Sequence, residues 1–412
     1  MKVLHLNTVT GGGSAKGSMR MHKALLKHGV DSWMMTLEEY ADDQPNHKVY
    51  QQYFKGILDK VKFKIKQRRY YSKYRYIRGN KNTGVTFSFP ETYYDITAHP
   101  LYKEADVIHL HWVARWLDYP SFFAKCDKPI VWTIRDRAVF SSGFHVGIEN
   151  DSFIEEASDF PKNLKEFAEY KFLKDNLEIK KKALNAFSKD KILIAPKSKW
   201  MAEHAKKSAV LGALNHEMIT NCIDPEEIYR KDKEESRKSL GLPLDKKLVL
   251  FVSSGLYVSY KGFQYLEPLI KDRLLGDDAE FIAVGEGDIQ YENCHLLGRI
   301  NEVEKLLEVY SAVDVFVIPS TEDNFPNTLL EGLFSGLPSV GFKIGGVQDM
   351  IVDGVNGYLA KEISTEALQE RIQQLLDTPL DSESIIADAK SKWSVDVVAP
   401  KLINAYKKLL NS

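Results

Sequence analysis

Residues Asp314 to Gly357 read DVFVIPSTEDNFPNTLLEGLFSGLPSVGFKIGGVQDMIVDGVNG. Val315–Ile318 is a short unbroken apolar run, the pattern of a strand buried on both faces. Pro319 and Ser320 end it. Pro326 suits the first turn of a helix, where a missing N–H costs nothing. That helix runs through Leu329, Leu330 and Leu333 to Gly336, and Gly336-Leu337-Pro338 stops it. Ser339–Phe342 reads as the next strand, and Gly345-Gly346, Asp353-Gly354 and Asn356-Gly357 as turns. A loop at the carboxyl end of a parallel strand thus feeds a helix N-terminus, the place where open α/β sheets bind nucleotides and phosphates.

Asp323 lies in that loop and Glu331 on that helix, with seven residues between them. Spacing alone predicts a turn aspartate and a solvated helix glutamate. The block as a whole, PSTEDNFPNTLLEGLFSGLP followed by GG and DGVNG, resembles the donor-binding signature of retaining glycosyltransferases of the glycogen-synthase- and sucrose-synthase-like family (glycosyl transferases group 1, glycosyltransferase family 4). That signature is a carboxylate, seven residues and a glutamate. Here the first carboxylate is Asp323 where Glu is usual, and Asn324 and Pro326 stand where glycines are common. The resemblance implies the GT-B fold: α/β, two Rossmann-like doubly wound domains facing a cleft, with a C-terminal helix crossing back to the first domain.

Length and composition agree with that class. A chain of 412 residues is too long for one ordinary core. Lys+Arg and Asp+Glu nearly cancel, 56 against 57, so the overall field selects no partner. Three scattered cysteines, Cys126, Cys222 and Cys294, suit a reducing compartment and form no metal motif. Met1–Leu6 is too short an apolar start for a signal peptide, and no run long enough to span a bilayer follows. A cytoplasmic chain is expected, peripheral at the inner face of the membrane if its basic segment docks there.

From the N-terminus, Val3–Asn7 reads as a strand, followed by Gly11-Gly12-Gly13-Ser14 and a helix to Gly29. Small residues there let backbone N–H groups approach an anion. It is not a nucleoside-triphosphate loop, because Ser18 follows Gly17 where lysine would be required. Residues 53–78, YFKGILDKVKFKIKQRRYYSKYRYIR, place Phe54, Leu58, Val61 and Ile65 at helical spacing among lysines and arginines. They predict a basic helix, either simply solvated or lying on an anionic membrane surface or a lipid-diphosphate acceptor. Nucleic acid is not expected as a partner, since no nucleic-acid motif accompanies the tyrosines.

Ala105–Trp112 predicts a buried strand whose His109 and His111 share a face. They border a cleft in this reading, and with no third ligand nearby no metal is expected. Pro129–Ile134 is another strand, and Arg135-Asp136-Arg137 ends it. Residues 151–190 read as charge-rich helical scaffold. Pro196–Asp224 leads out of the first domain, and Pro225–Lys238 reads as a linker. The predicted domains are 1–224, completed by helix 394–412, and 225–393.

The resemblance supplies roles. It implies transfer of a sugar from a nucleotide diphosphate sugar to a glycan or lipid-linked acceptor, with retention of anomeric configuration and no cofactor or metal, in surface-polysaccharide assembly. The catalytic positions it implies are Asp136, Arg135, Lys261 and Asp323. Donor-binding positions are Gly12, Gly13, Ser14, Lys16, Arg299, Ile300, Asn324, Phe325, Asn327, Thr328 and Glu331. Acceptor-side positions are His111 and His145. Two departures stand out. Arg135 occupies the place of a family histidine, and Ser254 that of an arginine that would share the diphosphate with Lys261; Arg135, Lys16 or Arg20 could substitute for it. Arginine cannot serve as a base near neutral pH but can stabilise a leaving phosphate. These departures keep two alternatives open, a sugar-nucleotide epimerase on the same fold and a sugar-nucleotide-binding subunit with weak catalysis.

Overall fold

A computed structural model describes residues 1–79, 87–146 and 170–412. The expected loop at 80–84 and the scaffold at 151–169 lie outside these residues. The chain divides into two compact units, Met1–Ile219 with Ala399–Ser412, and Thr220–Val398.

The first unit holds strands β1 (Lys2–Asn7), β2 (Asp31–Thr36), β3 (His47–Val49), β4 (Val107–Leu110), β5 (Ile130–Ile134), β6 (Ile192–Pro196) and β7 (Asn215–His216). Its helices are α1 (Gly12–Lys27), α2 (Ile57–Gly79), α3 (Pro100–Glu104), α4 (Tyr119–Lys125), α5 (Tyr170–Asn185) and α6 (Lys199–Lys207). The second unit holds β8 (Lys247–Gly255), β9 (Ala279–Glu286), β10 (Cys294–Leu296), β11 (Val315–Ile318), β12 (Ser339–Phe342) and β13 (Gly357–Ala360). Its helices are α7 (Lys233–Leu240), α8 (Phe263–Lys271), α9 (Val303–Ala312), α10 (Asn327–Phe334), α11 (Val347–Met350), α12 (Thr365–Asp377) and α13 (Ser382–Trp393). The last helix, α14 (Val395–Leu410), starts in the second unit and ends in the first.

Both sheets are parallel. Their orders are β3-β2-β1-β4-β5-β6-β7 and β10-β9-β8-β11-β12-β13. Each order reverses once, between β1 and β4 and between β8 and β11. The crevice at such a reversal, beyond the strands' carboxyl ends, is where doubly wound sheets place their ligands.

The second sheet shows why unbroken apolar runs form it. Leu248, Leu250, Phe316 and Ile318 pack into one core, with α9, α10 and α13. Their neighbours Val249, Phe251, Val315 and Val317 pack into another, with α8 and α12. Alternate residues of one strand serve opposite cores, so no polar face remains. Two details differ from expectation. Part of the stretch read as a linker is helical, since α7 starts at Lys233 and packs on α9. Pro326 is the cap before α10 and not its first helical residue. Among the described residues no helix is long and apolar enough to cross a membrane.

The β8–α8 and β11–α10 loops are pinned together. Gly262, with φ +78, sits so close under Pro319 that a Cβ there would lie 1.8 Å from the Pro319 carbonyl oxygen. Beside it the Thr321 N–H donates to the Tyr260 carbonyl at 2.9 Å. Gly262→Ala combines a left-handed backbone with a clash on immobile main chain. It should lower unfolding stability by at least about 2 kcal/mol. Urea denaturation checks this, and a loss below about 0.5 kcal/mol would show that the two loops are not locked.

Candidate functional site

In the second unit the pinned loops carry charge. Lys261 Nζ donates to Asp323 Oδ2 at 2.7 Å, and both side chains keep some solvent exposure, 26% and 15%. Burial alone would depress the Lys261 ammonium; the Asp323 carboxylate outweighs it and raises its pKa. Asp323 is also held through its main chain. Its carbonyl accepts the Gly346 N–H at 2.8 Å, and a Cβ on Gly345 would come within 2.3 Å of the same oxygen. The Gly345-Gly346 turn is therefore a clamp on the Asp323 loop. That loop runs into α10, whose N-cap residue, Pro326, makes no side-chain cap. Its first N–H groups are aimed where an anion is favoured.

Glu331 corrects the expectation of a solvated glutamate. It is fully buried, and the Tyr310 hydroxyl donates to its Oε2 at 3.1 Å. The Phe325 ring belongs to the core, 6.1 Å from Trp393, which leaves only its main chain for a ligand. Asn327 Oδ1 accepts from Asn221 Nδ2 at 2.8 Å, Asn324 is buried, and Thr328 is half-exposed on the first turn of α10. Arg299 is exposed and paired with Glu286 at 3.2 Å, and Ile300 packs against the core. The turn before them is fastened to the end of β9, with the Gly285 N–H on the Gly298 carbonyl at 2.9 Å. Ser254 is exposed on β8.

The first unit has a parallel arrangement at its own reversal. Asn7 at the end of β1 accepts from Ser14 Oγ at 2.9 Å and from the Trp112 N–H at 3.1 Å, tying the β1 and β4 loops together. Gly11, Gly12 and Gly13 are exposed, and a Cβ on Gly11 or Gly12 would meet nothing within 4 Å. Space is open above this backbone, as an approaching ligand would require. Lys16 is exposed on α1.

Beneath it lies a chain of imidazoles. His109 and His111 share a face, as expected, with ring centres 4.0 Å apart. Two corrections follow. His109 borders no cleft: it is fully buried, with Tyr406 Oη at 2.6 Å and Thr133 Oγ1 at 2.7 Å on its two nitrogens. A third imidazole is present, because β1 brings His5 Nδ1 to 2.8 Å from His111 Nε2. The ring nitrogens of His5, His109 and His111 lie within 4.8 Å of one another, a spacing that could hold a metal. Yet Arg135 Nη2 lies 2.9 Å from His111 Nδ1, and hydroxyls occupy both His109 nitrogens. A guanidinium repels a cation, so the cluster reads as a neutral hydrogen-bonded core that orients Arg135. Burial first, then Arg135, and for His5 and His111 the neighbouring imidazoles as well, hold all three histidines well below their ordinary pKa.

Asp136 and His145 meet directly. His145 Nδ1 lies 2.6 Å from Asp136 Oδ2, and His145 Nε2 lies 2.6 Å from Ser88 Oγ. A carboxylate can only accept, so Nδ1 donates to Asp136 and the second ring nitrogen is the one that meets the Ser88 hydroxyl. Asp136 also accepts from Trp112 Nε1 at 2.7 Å and from the Ala138 N–H at 2.9 Å, the latter as a helix cap. Burial disfavours its charge, but His145 and these donors overcome that and lower its pKa. Serine, imidazole and carboxylate thus form a line along which a proton can pass. They border a cavity of about 20 Å³, room for about one water or hydroxyl group, together with His111, Arg135 and Lys180.

Two members of this group escaped sequence reasoning. Ser88 stands in no motif. Lys180 had a signal: it occupies the apolar stripe Leu173, Leu177, Lys180, Leu184 of α5. It is buried, donates to the carbonyls of Ala138 and, at 2.8 Å, Ser141, and burial lowers its pKa to about 7 against the opposing pull of Asp136.

Residues 246–378 match the family model described as Glycosyl transferases group 1. The match covers about a third of the chain. The group 1 segment contains Lys261, Asp323 and Glu331. An uncharacterized glycosyltransferase of Methanocaldococcus jannaschii is 29% identical over 209 residues, covering 46% of this chain and 53% of its own. A D-inositol 3-phosphate glycosyltransferase of Corynebacterium diphtheriae is 30% identical over 36% of this chain and 38% of its own. The chain thus spans about half or less of these curated relatives. Over the whole length the fold is GT-B. Sucrose-phosphate synthase of Thermosynechococcus elongatus superposes with TM-score 0.67 at 17% identity, covering 100% of both chains. HepE of Anabaena, in complex with UDP-glucose, superposes with TM-score 0.64 at 16% identity over 99% of both.

The imidazole core sets a pH dependence. His5, His109 and His111, with His22 lowered to about 4 by burial, stay neutral in the fold and take up protons when unfolded. Their stability contribution is whole above pH 6.5 and is lost as pH falls, by up to about 1.4 kcal/mol per pH unit for each. Urea midpoints should therefore drop steeply between pH 7 and pH 5, and less steeply in His5→Gln. Parallel pH profiles for the two proteins would contradict the burial of a neutral His5.

Proposed function

We propose that the chain is a retaining glycosyltransferase that moves a sugar from a nucleoside diphosphate sugar to a hydroxyl of a glycan or lipid-linked acceptor in surface-polysaccharide assembly. The observation that carries this reading is the Lys261–Asp323 pair, partly open to solvent at the carboxyl edge of the second sheet and inside the group 1 segment. The UDP-glucose held by HepE supports a nucleotide-sugar donor.

In this reading Lys261 and the N-terminus of α10 stabilise negative charge on the departing diphosphate. Asp323 accepts from sugar hydroxyls. Glu331 accepts from ribose hydroxyls, exchanging the Tyr310 hydroxyl for one of the ligand. The acceptor's proton leaves with the departing phosphate, and no divalent ion is required. In the first unit, Arg135 and the Ser88–His145–Asp136 line border the hydroxyl-sized cavity and orient the acceptor. Nucleotide sugars screened by thermal stabilisation and diphosphate release test this. One donor should stabilise the protein and be turned over, with product of unchanged anomeric configuration. Lys261→Ala should cut turnover by roughly 10²–10³-fold, in line with loss of one transition-state donor. A donor bound without cleavage, even with lipid-linked acceptors present, would favour a binding subunit; a new sugar nucleotide formed from donor alone would favour an epimerase.

The place of action proposed is the cytoplasmic membrane surface. On α2, Ile57, Leu58, Val61 and Ile65 are 81%, 75%, 48% and 48% exposed, interleaved with Lys60, Lys62, Lys64, Lys66, Arg68 and Arg69. Each cation near an anionic bilayer contributes about 1 kcal/mol, and the exposed aliphatic groups would insert. The protein should sediment with vesicles containing phosphatidylglycerol, and replacing Leu58 and Val61 with serine and the six cations with glutamine should release it. Equal sedimentation of both forms would remove membrane docking from the proposal.

A further inference from the structure

Lys180 takes no part in the proposed function, yet its place in the fold is costly. It stands among Leu173, Leu177 and Leu184 on α5, 2% exposed. Burial lowers its pKa from the ordinary 10.5 to about 7, against the opposing pull of Asp136. The unfolded chain keeps that proton. At neutral pH the buried ammonium therefore lowers stability, and the cost is relieved only as pH rises from about 7 towards 10.5. A leucine would complete the stripe without it, so this lysine is held for what it touches.

What it touches is a loop that closes on itself. The chain from Asp136 to His145 leaves the end of β5, and at its neck the Arg137 N–H donates to the His145 carbonyl at 3.3 Å. There the Asp136 and His145 side chains also meet. Inside the loop the Phe140 and Ser141 N–H groups donate to the Arg137 carbonyl at 3.1 and 2.9 Å. Three further carbonyls take donors from α5. Lys180 Nζ serves Ala138 and Ser141, and Asn176 Nδ2, one turn earlier, serves Ser142 at 3.2 Å. Removing the Lys180 donor would leave two carbonyls in the interior unmatched, at about 1–3 kcal/mol each.

We infer that Lys180 is a positioning residue of the acceptor site. Its side chain fastens the loop to α5, so that Asp136 and His145 at the loop's two ends stay in line with Ser88 at the cavity. This rests on the proposed reading of that cavity as the acceptor's. The line is short and exacting: both of its contacts are 2.6 Å, and the cavity admits about one hydroxyl group. A displacement of about 1 Å in such a site costs as much as 100-fold in rate.

The Trp112 indole reports on the loop without any substrate, because its Nε1–H donates to Asp136 Oδ2 at 2.7 Å. In the full chain labelled with ¹⁵N-tryptophan, the Trp112 resonance is assigned by its loss in Trp112→Phe. Lys180→Met should move that resonance upfield and leave the Trp393 resonance, from the second unit, in place. Asn176→Ala, which keeps the ammonium, should move it the same way and less. If Lys180→Met fails to fold, Asn176→Ala decides alone. A Trp112 resonance unmoved in a folded Lys180→Met chain, or in Asn176→Ala where only that variant folds, would overturn the inference. With a nucleotide sugar that the wild type turns over, Lys180→Met should lower kcat/KM for the acceptor about 10–100-fold and leave the donor Kd unchanged. An equal loss of donor affinity would show general damage and would also overturn it. A resonance that moves as expected in a chain that turns over no nucleotide sugar would defeat the proposed function and leave the loop anchor standing.

Discussion

The closeness of the Gly262 backbone to the Pro319 carbonyl is the constraint on which the second unit's site depends. Two loops that leave neighbouring strands β8 and β11 touch there with no side chain between them. That contact sets Lys261 and Asp323 at hydrogen-bonding distance, and the Gly345-Gly346 turn closes on the Asp323 main chain from the other side. A charged pair on flexible stems would contribute little at a surface. Here the backbone has already met the ordering cost, so the ammonium and the carboxylate are presented in fixed positions, which is what stabilising a developing charge demands.

Legibility in the sequence followed the range of the interactions involved. The strands at Val315–Ile318 and Ser339–Phe342 were readable residue for residue, because burial on both faces demands an unbroken apolar run. The turn glycines were visible as turns, but the clamp at Gly345 was not, since its partner Asp323 is a tertiary neighbour. Glu331 misled for a related reason. A glutamate on a short helix is usually solvated, whereas this one is buried and meets the hydroxyl of Tyr310, on another helix.

The first unit shows the same limit more sharply. His109 and His111 were placed on one face by the period of a strand, but His5 enters their cluster from β1 through the sheet order, 106 residues from its partner His111. Ser88 reaches His145 across 57 residues and carries no local mark. Lys180 is the exception. A lysine within a leucine stripe is a local inconsistency, and such inconsistencies concentrate where a fold serves more than packing. The basic helix was readable in kind, while its exposed aliphatic residues became evident only once the fold left them uncovered.

The hydrogen bond between His109 and Tyr406 joins residues 297 positions apart, and both are buried in the first unit. The second unit, Thr220–Val398, is by contrast continuous in the chain. During synthesis the later-made unit therefore has all of its residues before the earlier-made one. His109 Nδ1 can meet its hydroxyl partner only once residue 406 has been made. The order in which the units become complete is thus the reverse of the order in which they start.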